Sequence, residues 1–257
     1  MNLNLANKRV LITGGSRGIG YEMARSFLCY GAEVVILGRS LVNLDEAATQ
    51  LAKDTSSQKI HFYSIDCSDS FAWAVIMKDV VEKLGGLDIA IANVGDGRGS
   101  QEALPDAEAF SASWKVNFIT AEETARSTIP LLKATNGSFL FVSSIAGIEA
   151  IGAPTPYSVA KTAIISLTKQ LARRLAPSVR VNCVVPGNIY FKGGSWEEKM
   201  TKDPSKVEAI IQSSVPMKRF GKPEEVADAA VFLCSERASF ITGSCLIVDG
   251  GQTVSIL

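Results

Sequence analysis

The sequence has one histidine, His61, and only five cysteines, at 29, 67, 183, 234 and 245. No two cysteines fall in a Cys-x-x-Cys spacing, so a zinc site built from Cys and His is excluded as a working reading. An odd number of scattered cysteines also argues against a disulfide framework, and fits reduced, mostly buried thiols of a cytoplasmic protein. There is no excess charge of either sign, with 26 basic and 26 acidic residues. A bulk electrostatic grip on nucleic acid is therefore not expected. No apolar run approaches the roughly 20 residues of a membrane-spanning helix. The first residues, MNLNLANKR, lack a basic start followed by an apolar stretch, so no secretory signal is read. Linkers, low-complexity tracts and internal repeats are missing as well.

What is present is a chain of 257 residues that is 47% apolar, enough for one α/β domain with a sizeable core. Short apolar runs at 8–13, 33–37, 59–65, 87–92, 138–143, 179–185 and 244–248 read as strands. Several are apolar on both faces, as expected for strands covered by helices on each side. Helical patterns near 19–30, 42–54, 69–84, 107–133, 157–176 and 223–234 alternate with them. This alternation predicts a single-domain, Rossmann-type, doubly wound parallel sheet of seven strands spanning 1–257. The segment 188–214 breaks the rhythm. It carries Gly193-Gly194 as a candidate hinge, then turns charged and helical, and is read as a substrate lid.

After the first strand comes Thr13-Gly14-Gly15-Ser16-Arg17-Gly18-Ile19-Gly20. Glycines there allow a tight turn and a close backbone approach to a pyrophosphate, and the following helix offers free N–H groups and its positive dipole end. A glycine-rich strand-to-helix turn alone is weak; its place in the first crossover unit strengthens it. Tyr157 and Lys161 stand four apart, on one helix face. A free phenol has a pKa of about 10, and a neighbouring ammonium should lower it. Such pairs are also common on surface helices. Ser144 ends the fifth strand, thirteen residues before Tyr157, with Ser143 as the neighbouring alternative. Asn117 lies inside the helical pattern that precedes that strand, where asparagine is a mediocre helix former.

The spacing Gly-x-x-x-Gly-x-Gly, followed by Asn117, Ser144 and Tyr157-x-x-x-Lys161, resembles the short-chain dehydrogenase/reductase family, in particular bacterial 3-oxoacyl-carrier-protein reductases and related sugar dehydrogenases. The resemblance runs nearly the whole length. It implies a nicotinamide dinucleotide held by Gly14, Ser16, Arg17, Gly18, Ile19, Gly20, Asp66, Asn93, Gly95, Tyr157, Lys161, Pro186, Gly187 and Ile189. It also implies a carbonyl-orienting Ser144, an acid/base Tyr157, a ribose-holding Lys161, and an Asn117 that holds a water feeding protons to the lysine. In NAD-using relatives an aspartate commonly ends the second strand; here Gly38 stands there and Arg39 follows. Arg39, with Arg17 from the other side, suits the 2′-phosphate of NADP(H). The family often has a threonine five residues after the proline; this chain has Phe191.

The implied reaction interconverts a carbonyl and a secondary alcohol on a small or medium polar compound, either a sugar, a sugar acid or a 3-oxoacyl compound. Arg98, Lys192 and Trp196 suit an anionic or hydroxylated substrate, though Arg98 also reads as a solvated loop residue. A nucleotide-binding sensor or scaffold on the same fold is the non-catalytic alternative. The small residues Ala160, Ala163 and Ser166, with apolar Ala229, Ala230, Phe232 and Leu233, suggest surfaces for the homotetramer that the resemblance implies.

Overall fold

The computed structural model describes residues 2–255; Met1, Ile256 and Leu257 lie outside the described residues. Seven strands form one parallel sheet: β1 (Arg9–Thr13), β2 (Glu33–Gly38), β3 (Ile60–Ser64), β4 (Ile89–Ala92), β5 (Ser138–Val142), β6 (Arg180–Pro186) and β7 (Cys245–Val248). Their spatial order is β3-β2-β1-β4-β5-β6-β7. The connections reverse direction between β1 and β4, which opens a crevice at the C-terminal ends of those strands.

The strands carry apolar residues on both faces because both faces are covered. In β1, Val10 and Ile12 point into one core with Met23, Phe27 and Val231, while Leu11 points into the other with Trp73, Phe139 and Phe141. The first core is closed by α1 (Gly18–Cys29), α2 (Leu41–Thr55) and α9 (Pro223–Cys234). The second is closed by α3 (Ser70–Leu84), α5 (Thr120–Thr135) and α6 (Thr155–Leu175). Threonines on the buried face of α5 are satisfied within the helix: Thr124 and Thr128 each donate to the carbonyl four residues back, at 2.6 and 2.7 Å. Ser40, Asp69 and Asp106 cap the starts of α2, α3 and α4 (Ala107–Trp114).

The sequence pattern at 107–133 predicts one helix. The chain instead forms α4, a π-helical turn at Lys115–Ile119 and then α5. Asn117 lies in that turn, and its amide bonds explain the interruption, as described below. The segment 188–214 folds into α7 (Ser195–Lys202) and α8 (Pro204–Ser214), separated where Asp203 caps the second helix and Pro204 opens it. Two of the surfaces suggested for self-association are corrected: Ala160, Ala230 and Leu233 are buried within the chain itself. Helix periodicity turns these three toward the sheet, leaving Ser166 exposed and Ala163, Ala229 and Phe232 half-buried. No helix among the described residues is long and apolar enough to cross a membrane.

Arg180, the first residue of β6, fixes the far side of the sheet. Its guanidinium donates to the carbonyls of Leu233, Cys234, Ser235 and Ile241 at 2.8–3.2 Å, at the C-terminal end of α9. A cation there meets the negative end of the helix dipole and satisfies carbonyls that the helix leaves free. Arg180→Met keeps the length and removes all four bonds. It should lower unfolding stability by about 2–4 kcal/mol, read from the urea midpoint; a loss under about 0.5 kcal/mol would show that these carbonyls find other partners.

Candidate active site

The C-terminal edge of the sheet gathers the loops that carry the candidate residues. Thr13 ends β1, and its Oγ1 accepts from the backbone N–H of Asn93, just past β4, at 3.0 Å. Asn93 Nδ2 donates in return to the carbonyls of Thr13 and Gly14, at 3.0 and 3.1 Å. This leaves no room at Gly20, where a Cβ would lie 2.3 Å from the Gly14 oxygen and 2.5 Å from Asn93 Nδ2. Gly14 and Gly18 take positive φ, at 66° and 57°. Gly14, Ser16, Arg17, Gly18, Ile19 and Gly20 thus form a tight turn into α1, whose first turn no side chain caps.

Asp66 follows β3 and accepts from the backbone N–H and hydroxyl of Ser68, at 3.0 and 2.6 Å; these bonds hold its carboxyl below the ordinary range. Past β6, Gly187 packs so closely on Asp249 that a Cβ would meet it at 2.7 Å. Ile189 is buried and pairs with Gly221. Between them Asn188 is buried, and its Nδ2 has no hydrogen-bond partner among the described residues. An uncapped helix start, a glycine cradle and an orphaned amide donor at one strand edge fit a polar, phosphate-bearing ligand such as a dinucleotide.

Facing this cradle are Ser144, Tyr157 and Lys161. Pro154, Thr155 and Pro156 start α6, so Tyr157 lies in its first turn. Lys161 falls on the buried stripe of that helix with Ala160, Ile164, Thr168 and Ala172. Its Nζ donates to the carbonyl of Val142 at 3.0 Å and lies 5.8 Å from the centre of the Tyr157 ring. Tyr157 is half-buried and hydrogen-bonded to Ser144. The two serines separate clearly: Ser143 is buried and donates to the carbonyl of Lys161 at 2.8 Å, which ties β5 to α6, so Ser144 alone is left to Tyr157.

One electrostatic expectation is corrected. The Tyr157 hydroxyl stands above its usual pKa, because burial outweighs the Ser144 bond and the Asp96 charge pushes the same way. Lys161 does not lower it; burial instead holds the Lys161 ammonium down, to about 8. Asn117 differs too. Its Oδ1 accepts from Asp96 N–H at 2.8 Å and its Nδ2 donates to the carbonyls of Asp96 and Ser113, each at 3.0 Å. It therefore fixes the loop after β4, where Gly95 leaves just enough space for Lys161 Nζ and Gly97 passes over the Tyr157 ring.

The arginines also part company. Arg39 is exposed just past β2, and its charge acts on Asp66. Arg17 turns the other way and donates to the carbonyl of Gly193 at 3.1 Å. Arg98 is an exposed loop residue, as one sequence reading had it, but it is not free for an anion: it pairs with Asp96 and Glu198 and also donates to Gly193 O at 3.3 Å. Gly193-Gly194 is correspondingly a pinned cap before α7. The sequence reading missed Asp96 and Asn188, and weighed Ser143 only as an alternative to Ser144. Only Asn188, a polar residue directly after the Pro186-Gly187 pair, carried a readable signal.

Residues 14–253 match the family described as enoyl-(acyl carrier protein) reductase. The chain belongs to the short-chain dehydrogenase/reductase family. It is 34% identical over 257 residues to a 3-oxoacyl-[acyl-carrier-protein] reductase of Chlamydia muridarum, across 98% of this chain and 100% of that one. It is 37% identical over 252 residues to dehydrogenase/reductase SDR family member 4 of Bos taurus, across 96% of this chain and 88% of that one. Among solved structures, the L-sorbose reductase of Gluconobacter frateurii complexed with NADPH and L-sorbose matches 100% of both chains, with a TM-score of 0.89 at 29% identity. The family and these relatives support carbonyl–alcohol oxidoreduction.

The Lys161 environment has a consequence for stability. The pKa is about 8 in the folded chain and about 10.4 in an unfolded one. Below pH 8 both states hold the proton, and the folded state bears the cost of burying it. Between the two values only the unfolded chain holds it, so stability rises with pH. Wild type should gain stability relative to Lys161→Met as pH increases from 8 to about 10, followed by urea midpoints. Parallel profiles for the two proteins would mean that no charge is buried at Lys161.

Proposed function

We propose that this protein is an NADP(H)-dependent carbonyl reductase, acting on a small hydroxylated carbonyl compound with Tyr157 as the acid and, in reverse, the base. The observation that carries the reading is the cluster of Ser144, Tyr157 and Lys161 at the strand edge that also bears the glycine turn. A non-catalytic sensor would have no use for a buried lysine beside a serine-bonded phenol.

The bound dinucleotide supplies the hydride chemistry. Ser144 and Tyr157 present two hydroxyls to one carbonyl oxygen, orienting it and stabilising the charge that develops there. Because burial keeps the Tyr157 phenol protonated, it stands ready as the acid, which favours the reductive direction. Lys161, with a pKa of about 8, exchanges a proton near neutrality; in this reading it also holds the ribose hydroxyls, as the family resemblance implies. Asn117 keeps the Gly95–Gly97 loop over the phenol ring.

The choice of NADP(H) rests on Gly38, which removes the acid that would repel a 2′-phosphate, and on exposed Arg39 beside it. The NADPH held by the L-sorbose reductase is in keeping with this. For the substrate, Arg98 is engaged by Asp96 and Glu198, so a neutral polyol-type carbonyl is favoured over a sugar acid. The similarity to a 3-oxoacyl-[acyl-carrier-protein] reductase makes 3-oxoacyl thioesters the second reading. A homotetramer is supported by the exposed apolar Phe240, Ile247 and Met217, and would be refuted by a monomeric mass in sedimentation at micromolar concentration.

Two variants test the assignment on a panel of ketoses and 3-oxoacyl thioesters followed by NADPH absorbance. Tyr157→Phe should lower kcat by about 10²–10⁴ while leaving NADPH binding intact; near-wild-type kcat sinks the acid role. Arg39→Ala should raise KM for NADPH by about tenfold, the loss of one charge-assisted contact, and leave NADH nearly unchanged. A higher kcat/KM with NADH than with NADPH in the wild type would refute the cofactor choice.

A further inference from the structure

The Phe191 ring lies directly on Gly18. A Cβ built on Gly18 would meet three ring atoms at 2.6–2.8 Å, so the ring occupies the space where any other residue at 18 would carry its side chain. Gly18 is the first residue of α1, the helix start that no side chain caps. The ring is therefore seated on the turn that offers its N–H groups to phosphate.

It is also held there. Phe191 O accepts from Gly194 N–H at 3.1 Å, closing a tight turn. Within that turn Gly193 is engaged at both ends: its N–H donates to Glu197 at 2.7 Å, and its carbonyl accepts from Arg17 and from Arg98 at 3.1 and 3.3 Å. Arg98 in turn grips Glu198 on α7. Arg17 is thus shared between the glycine turn, where it belongs by sequence, and the segment that carries Phe191. Packing at the base is firm as well, since Ile189 pairs with Gly221 and is buried.

We infer that Phe191 is a plug on the phosphate-binding turn, latched by Arg17 and Arg98 through Gly193, and that dinucleotide entry requires the 190–194 turn to swing off α1. The inference rests on the cofactor reading above. Phosphate and ring compete for the Gly18 surface. A phosphate is also the stronger partner for Arg17, since an ion pair with bidentate hydrogen bonds replaces a single bond to a neutral carbonyl. Arrival of the ligand thereby undoes one half of the latch. The hinge sits between Ile189, which stays anchored, and Gly193, whose φ of 78° gives the backbone unusual freedom once its contacts release.

The test is stopped-flow binding of NADPH, read by its own fluorescence, to wild type and to Phe191→Ala, with melting curves confirming that both are folded. In the wild type the observed rate should level off at high NADPH, as opening becomes limiting. In Phe191→Ala it should rise linearly and be at least tenfold faster, with tighter binding. Hydrogen exchange on the unaltered protein gives a second readout: amides of 190–194 should exchange faster with NADPH bound. Equal association rates for the two proteins, weaker binding by Phe191→Ala, or exchange in 190–194 that slows with NADPH would each overturn the plug while leaving the cofactor reading intact. Absence of NADPH binding to both proteins would overturn the cofactor reading and the plug with it.

Discussion

Everything at this site depends on the tie between the ends of β1 and β4. Thr13 and Asn93 exchange hydrogen bonds across the point where the strand order reverses, and Asn93 reaches on to Gly14. Two parallel strands whose crossovers depart in opposite directions would otherwise leave their following loops to splay apart. The tie instead draws both loops inward, so that the glycine turn and the Gly95–Gly97 loop face each other over the crevice. Its tightness is why Gly20 tolerates no side chain. The same economy recurs at β5 and α6, where Ser143 bonds to the Lys161 carbonyl and frees its neighbour Ser144 for Tyr157.

The strands were legible from sequence because burial on both faces writes consecutive apolar residues, as in 139–142 of β5, a strand buried at every position. The glycine turn was legible because only glycine satisfies its backbone. The break at Asn117 was not, since a single polar residue within a helical period looks like a tolerated imperfection. Its cause is a bond to Asp96, 21 residues away, which no local pattern records. Likewise the sequence put Arg17 beside Arg39 and left Arg98 open to an anion. Where an arginine points is decided by which carbonyl or carboxylate lies within reach, and Gly193 and Glu198 come from a segment almost a hundred residues or more further on.

The pair of Tyr157 and Lys161 illustrates how burial and proximity oppose each other. Spacing of four on a helix brings an ammonium near a phenol, and Coulomb's law alone then lowers the phenol's pKa. Yet the stripe that brings Lys161 inward strips it of water, which weakens its hold on its own proton and with it the charge that was to act on Tyr157. The phenol, also deprived of water, moves upward. The outcome is two groups driven apart in proton affinity from nearly equal free values of about 10 and 10.4: the phenol holds its proton, as the proposed acid must, and the lysine can exchange its own near neutrality. That is a more useful arrangement for reduction than a phenolate would be.

The scaffold and the 190–194 turn are held in different ways. Strand ends and the Asn93 tie hold Ser144, Tyr157 and Lys161 through hydrogen bonds within the fold, several of them buried, as between Ser143 and the Lys161 carbonyl. The segment around Phe191 is fixed differently, by bonds from two arginines to a single carbonyl and by a ring resting on a glycine. Such contacts are surface-exposed and replaceable, each by a ligand group of stronger charge. On the plug reading, access to the glycine turn is set where the chain is held least deeply, by a single aromatic ring after β6.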